Sequence, residues 1–365
     1  MPIPAQRDLD KARRSIQDWL ADRRPADKDL EVSELNAPGA TGFSNETLLF
    51  DVTWREGGQR RAESLVLRVK PTGYRVFMED DFELQYKVLS ELGGRGVPVP
   101  VMRELELDPS VLGAPFFLMN RIDGQVPGDS PPYNAEGFIK EMAPDQRRAL
   151  WLSAMNAFVA VHRAGLDGGF DFLQKPARGR TGFDQQLKYY EESLEWAAQG
   201  RPQPVAEAAW DWLSSHMPDD RPTSLSWGDS RIANMIFHGT ECRGVLDWEM
   251  VSLGGPEMDL GWWLFLDRFS AEGNGLERLP GLGSRVETIE IWEKGTGLKA
   301  RNLEFYEVFA GLRFAVVMMR LAQMFQEWEL PVADDMETNN PVTILLAHLL
   351  DVEPPGPLPT APPGA

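Results

Sequence analysis

Cysteine is nearly missing from this chain: among 365 residues only Cys242 carries a thiol, which excludes a disulfide within the chain. Histidine is almost as scarce. The four that occur are scattered, without the close spacing that imidazole-bound metals require. Basic charge is in deficit, with 37 Lys and Arg against 56 Asp and Glu and a net charge of −19, and this disfavours nucleic acid and anionic membranes as partners. It permits a cationic small molecule without naming one. A long uninterrupted apolar run is also lacking: the best candidate, residues 309–325, is broken by Arg313 and Arg320, so an internal helix is expected and not a membrane span. The N-terminus has no basic leader followed by an apolar core, so a cytoplasmic location is expected.

What is present is enough for a large core. A length of 365 residues with 42% hydrophobic content suggests two lobes. Leu9, Ala12, Ile16, Trp19 and Leu20 recur at helical spacing and predict a first helix ending before Pro25. A glycine- and hydroxyl-bearing turn over residues 36–47, with Gly42 and Ser44, leads into a strand over 48–54. Such a turn can bring backbone N–H groups to phosphate oxygens or can be an ordinary hairpin loop. In the strand from Leu65 to Lys70, Leu65, Leu67 and Val69 share one face while Val66, Arg68 and Lys70 share the other. A charge in mid-strand must then face a cleft or solvent.

A helix is predicted over 80–92, ending at Gly93-Gly94, and an apolar strand over 114–124 is expected to join the lobes. Residues 124–144, rich in Pro, Gly and Asp, form no regular element, as a flap or a surface loop. Helical periodicity returns around 147–164, 183–198, 205–216 and 302–327, and the Pro-rich stretch 353–365 is expected to be disordered. His162 reads as a structural residue and Cys242 as an incidental thiol.

The chemistry concentrates in Trp227-Gly228-Asp229-Ser230-Arg231-Ile232-Ala233-Asn234 and, after a short gap, Asp247-Trp248-Glu249. Residues 235–238 and 244–246 read as two strands around a turn at 239–243. A turn centred between Thr240 and Glu241 would put Asn234 opposite Asp247. One carboxylate on the preceding loop, with an amide and a second carboxylate at the hairpin end, could hold magnesium and a reacting hydroxyl together.

Asp-x4-Asn followed by a hairpin and Asp resembles the protein-kinase-like fold and, more closely, the aminoglycoside phosphotransferase family. The resemblance spans most of the chain and implies an α+β, two-lobed fold: a small sheet-containing lobe over residues 1–121 and a mainly helical one over 122–352. It implies an ATP- and Mg²⁺-dependent phosphotransferase acting on a hydroxyl of a small molecule, with GTP an open alternative to ATP.

In this resemblance Asp229 is the catalytic base, and Asn234 and Asp247 are the metal ligands. The loop with Gly42 and Ser44 covers the nucleotide phosphates and Arg68 grips them, with Gln85 or Glu83 as its partner. Met119, Asn120 and Ile122 line or pair with the adenine. Asp259 matches a position that braces the catalytic loop, whereas Trp262 and Trp263 read as packing residues. Trp227 stands where the family more often has histidine, and Arg68 where it has lysine. These departures, with Gln85, leave a catalytically silent nucleotide-binding protein as the alternative. The acceptor is open among antibiotics, choline-like and other alcohols, and hydroxyacyl compounds; nucleic acid and membrane are not expected as partners, and the oligomeric state is open.

Overall fold

The computed structural model describes residues 7–37, 46–71, 73–79 and 81–359. Helix α1, Leu9–Arg23, starts where Asp8 accepts the backbone N–H of Lys11, which satisfies a donor that the first turn leaves without a partner. Strands β1 (Lys28–Val32), β2 (Glu46–Glu56) and β3 (Gln59–Val69) follow, then α2 (Phe82–Leu92), β4 (Met102–Glu106) and β5 (Phe116–Asn120). They form one antiparallel sheet in the order β1-β2-β3-β5-β4. Between β2 and β3 the chain turns through Gly57 and Gly58 at φ of 56° and 82°, a pair of left-handed conformations that suits a two-residue hairpin and that glycine adopts without strain.

The period of two in β3 sorts the sheet into its faces. Leu65, Leu67 and Val69 pack with Leu48, Phe50, Phe116 and Leu118 beneath Ile16 and Leu20 of α1. On the other face Val66, Phe117 and Met119 meet Phe82 of α2, and Arg68 opens toward the cleft. Glu106 ties α1 to the sheet edge by accepting from Trp19 Nε1 and Arg23 Nη2, each at 2.7 Å.

The second lobe is helical apart from one hairpin: α3 (Phe138–Glu141), α4 (Pro144–Leu166), α5 (Gly182–Ala198), α6 (Pro204–Ser215), β6 (Met235–His238), β7 (Glu241–Val245), α7 (Pro256–Ser270), α8 (Arg285–Thr296), α9 (Leu303–Glu327) and α10 (Pro341–Leu350). Side-chain caps fix several starts, with Thr181 and Ser284 each accepting the N–H three residues on. One core cluster, with Trp151, Phe158, Trp248 and Trp292, lies between α4, α8 and the hairpin. A second joins α5, α6, α9 and α10, and α7 contributes to both. Helix α9 is long and apolar enough to cross a membrane, but most of it is buried inside the protein.

The α+β, two-lobed expectation holds, as do the long helices read from periodicity. Helices α3, α7, α8 and α10 were not foreseen, and α3 falls in the stretch expected to hold no regular element; in α7 the buried side is so broad, from Met258 through Leu266, that a single apolar stripe does not stand out. Of the stretch expected to be disordered, the described residues as far as 359 form no helix or strand and are mostly exposed, with Leu358 partly buried against the second cluster.

Candidate active site

Asp229 sits on a loop held from behind by one carboxylate. Asp259, in the first turn of α7 and wholly buried, accepts from Ser226 Oγ at 2.6 Å, Trp227 N at 2.6 Å, Gly228 N at 2.9 Å and His162 Nε2 at 3.0 Å. The other ring nitrogen of His162 accepts from Trp292 Nε1 at 2.8 Å. Indole N–H only donates, so His162 Nδ1 carries no proton and Nε2–H points at Asp259. Ser230 Oγ adds a bond to the Asp259 carbonyl at 2.8 Å. Gly228 has φ of 96°, and a Cβ there would stand 2.2 Å from the Met250 carbonyl oxygen, so only glycine fits. The bracing role expected of Asp259 and the structural role expected of His162 are both visible in these contacts.

In front of the loop the Asp229 carboxylate accepts from Trp262 Nε1 at 2.8 Å and Asn234 Nδ2 at 2.7 Å, while Arg231 Nε lies 3.0 and 3.1 Å from its two oxygens. Asp247 follows β7 in a left-handed conformation, φ 57°. Trp227 Nε1 secures that bend by donating to the carbonyls of Leu246 at 2.8 Å and Asp247 at 3.0 Å. Tryptophan at the position where the resemblance has histidine is therefore a hydrogen-bonding anchor. Burial and the nearby Asp229 charge push the Asp247 carboxyl above the ordinary range, against the opposing pull of Arg68 and Arg231.

These groups have the donor chemistry for a hard divalent cation: two carboxylates and an amide whose oxygen lies at the opposite end from the N–H given to Asp229. Among the described residues no group of three or more His, Cys, Asp or Glu is arranged to hold a metal. A divalent cation held by so few protein groups would need phosphate oxygens and water to complete its shell.

The hairpin register differs by one from the expectation. Met235 pairs with Val245 and Ile236 with Gly244, with an irregularity before Phe237, and the Leu246 N–H donates to the Asn234 carbonyl. Asn234 thus stands opposite Leu246, and Asp247 lies one residue beyond. The turn is tighter than predicted, and the extra residue on β7 is absorbed as a bulge.

Arg68 faces the cleft as its strand period requires. Its guanidinium donates to Thr47 Oγ1 at 2.9 Å and Glu249 Oε1 at 3.1 Å. The expected partners are otherwise placed: Gln85 is buried on the inner side of α2, and Glu83 pairs with Lys87 one helical turn on. Met119 lies on the α2 face of the sheet, and Ile122 lies against Gly244 of the hairpin. Asn120 is a sheet residue opposite Leu65 and its N–H is taken by the Val101 carbonyl at 2.9 Å, so that donor is already used within the protein. Gly42 and Ser44 lie outside the described residues.

Several site residues escaped sequence reasoning. Glu249 could have been found as the acid completing Asp247-Trp248-Glu249, but the contact of Trp262 with Asp229 depends on the path of α7. Arg231 also bridges from Asp229 to Asp129 Oδ1 at 2.6 Å, on the loop after the crossing strand. The two carboxylates outweigh burial and hold the Arg231 pKa above its ordinary value. Beside this bridge lies a small recess with a cavity volume of about 20 Å³, partly open to solvent, lined by Asp129, Tyr133, Ile232, Trp263, Leu266 and Phe269 among others.

Comparison with known proteins agrees with this geometry. A profile of the phosphotransferase enzyme family matches residues 40–282. Over 206 residues the chain is 30% identical to acyl-CoA dehydrogenase family member 10 of Mus musculus, a stretch covering 54% of this chain and 18% of that protein. The chain spans about a third or less of the length of such curated relatives. Among solved structures, a Ralstonia eutropha protein bearing an aminoglycoside phosphotransferase designation is similar with a TM-score of 0.67 at 23% identity, covering 93% of this chain and 98% of that one. A thermostable mutant of aminoglycoside phosphotransferase APH(4)-Ia, in complex with ADP and hygromycin B, gives 0.57 at 15%, covering 92% and 98%. At these identities the structural likeness is one of fold.

Proposed function

We propose that this chain, which belongs to the phosphotransferase enzyme family, transfers the γ-phosphoryl group of ATP to a hydroxyl of a small molecule. The observation that carries this reading is the convergence of Asp229, Asn234 and Asp247 at the mouth of a loop that Asp259 holds rigid. Asp229 would orient the acceptor hydroxyl and take its proton as the oxygen attacks phosphorus. Its carboxylate is fixed by Trp262, Arg231 and Asn234, so little reorganisation is needed at the moment of transfer. Arg68 would donate to the α- and β-phosphates, exchanging Glu249 for the nucleotide, since guanidinium binds carboxylate and phosphate with the same fork. Asn234 and Asp247 would hold Mg²⁺, whose contribution is to neutralise phosphate charge in the transition state.

The acceptor would approach over the Arg231–Asp129 bridge, beside the adjoining small recess. That recess combines apolar walls with a charged rim, which suits a molecule carrying a hydroxyl on a partly apolar frame. Hydroxyacyl thioesters belong beside aminoglycosides and simple alcohols in the first acceptor panel, because the matched relatives are named for acyl-CoA chemistry.

The test is a coupled assay for ADP release with Mg²⁺-ATP and each acceptor, with mass spectrometry of the product and Asp229→Asn as control. A phosphorylated acceptor formed by the parent and not by the variant is expected. Binding of Mg²⁺-ATP without transfer to any member of a broad panel would favour the silent nucleotide-binding alternative.

A further inference from the structure

We infer that Arg313 of α9 is a positioning residue for the catalytic carboxylate, acting through the indole of Trp262. The inference rests on the reading of Asp229 as the catalytic base, but the contacts that carry it do not. Arg313 is fully buried. Its guanidinium carbon stands 4.5 Å from the centre of the Trp262 ring and 5.2 Å from that of Tyr190. Nη2 donates to the Gly228 carbonyl at 2.9 Å, while Nε and Nη1 are buried and meet no hydrogen-bond partner among the described residues. Among those residues no carboxylate stands within ion-pair distance of it, so the buried charge is met by aromatic faces and one peptide oxygen.

That arrangement is costly as packing alone. A buried guanidinium is ordinarily matched by a carboxylate, and an apolar side chain of similar volume would fill the same space without desolvating a charge. What the charge does is apparent from its two contacts. One fixes the carbonyl of Gly228, the residue just before Asp229, and the N–H of Gly228 is held by Asp259 on the other side. The other lies over the π-face of the tryptophan whose N–H meets Asp229 Oδ1 at 2.8 Å. A cation over an indole face draws electron density from the ring and makes its N–H a stronger donor. Arg313 thereby strengthens the bond that orients Asp229, without touching Asp229 or any substrate.

The test uses the full chain in four variants: Arg313→Lys, Arg313→Met, Trp262→Phe and the Arg313→Met/Trp262→Phe double variant. The first readout needs no activity. In ¹⁵N-tryptophan-labelled protein the Trp262 indole signal, identified by its loss in Trp262→Phe, should move upfield toward a weakly bonded N–H in Arg313→Met and lie between the two in Arg313→Lys. The second is transfer from Mg²⁺-ATP to water, read as kcat and KM. Arg313→Met should lower kcat roughly tenfold, about 1.4 kcal/mol, with KM for ATP within about twofold; Arg313→Lys should recover part of the loss. In the double variant Arg313→Met should add nothing to the loss from Trp262→Phe.

An indole signal unmoved by Arg313→Met overturns the inference, as do additive losses or a loss expressed mainly in KM. If Arg313→Met does not fold, Arg313→Lys decides: a parent-like indole shift in that variant, where ammonium replaces the delocalised plane, with unchanged kcat overturns it. If the parent hydrolyses no ATP, the indole signal alone judges the contact, and the phosphotransferase reading is judged separately by the acceptor panel.

Discussion

The two sides of the catalytic loop treat their carboxylates differently. Behind it, Asp259 is surrounded by donors: two backbone N–H groups, a serine hydroxyl and the His162 Nε2–H. In front, Asp247 is buried near a second acid and has the N–H of Glu249 and the fields of Arg68 and Arg231 to offset this, which leaves its carboxyl shifted upward. A carboxylate with every lone pair answered is scaffold, and one held near a like charge is a place for a cation. The residue type is the same, and only the surroundings tell the roles apart.

The largest effect that would test this contrast is on turnover. Asp229→Asn should bind Mg²⁺-ATP nearly as the parent does yet lose about 10²–10⁴-fold in transfer to an accepted hydroxyl, the usual contribution of a positioned general base; parent-like turnover would make Asp229 another scaffold acid. At the rear the loss should fall on folding instead. Asp259→Asn aims an amide at the donors of Trp227, Gly228 and Ser226, and with about 1–3 kcal/mol for each buried group left unmatched, the unfolding free energy should drop by roughly 3 kcal/mol or more. Calorimetry giving a parent-like transition would contradict the brace.

Asp247→Asn separates the two sides more finely. The raised carboxyl binds its proton more tightly in the folded chain than in the unfolded one, so stability falls as pH rises through the interval above 3.8 and the deficit persists at neutral pH. Without metal, Asp247→Asn should therefore be as stable as the parent or more so near neutral pH, and should lack the gain the parent shows on acidification. It should also lose the Mg²⁺-dependent part of nucleotide binding in a thermal-shift titration. A destabilised variant that still binds Mg²⁺-ATP would reverse the assignment.

The sequence disclosed the front of the site better than its supports. Asp229, Asn234 and Asp247 were legible because loop and hairpin are local, and Arg68 because a strand has a period of two. The error in the hairpin came from centring its turn one residue too late, and the bulge at Arg243 on β7, which no hydrophobic pattern marks, reduced the resulting shift to one residue. The engagement of the Asn120 N–H by Val101 was not visible, because that backbone bond belongs to the fold and not to the residue type. Trp262, Arg313 and the pairing of Arg68 with Glu249 depend on how α7, α9 and the two lobes meet, and contacts over such separations leave no spacing to read.

The smallest effect lies far from the loop and extends the comparison to a third acid. Glu106 accepts from the Asp108 N–H, from Trp19 and from Arg23, which lower its pKa from 4.5 to about 2. The stabilisation this gives is present above the ordinary pKa and is lost as pH falls from about 4.5 toward 2. Glu106→Gln should flatten that part of the acid-unfolding curve while leaving ATP binding unchanged, as followed by tryptophan fluorescence. An acid limb as steep as that of the parent would show that the donors around Glu106 do not set the response.

The hairpin that leads to Asp247 is mechanically shared by both lobes. Phe237 exchanges paired backbone bonds with Gln125, just past the crossing strand, Val245 N–H reaches the Pro98 carbonyl, and Glu249 holds Arg68 of the sheet. Gly124 passes so close to the Phe237 carbonyl, where a Cβ would sit at 2.5 Å, that the joint has almost no slack. The cleft cannot widen like a free jaw: the Val245 and Glu249 links must yield first. On the function proposed above, a nucleotide whose phosphates took Arg68 from Glu249 would release one of those links on arrival, so that occupancy would loosen one tie between the lobes.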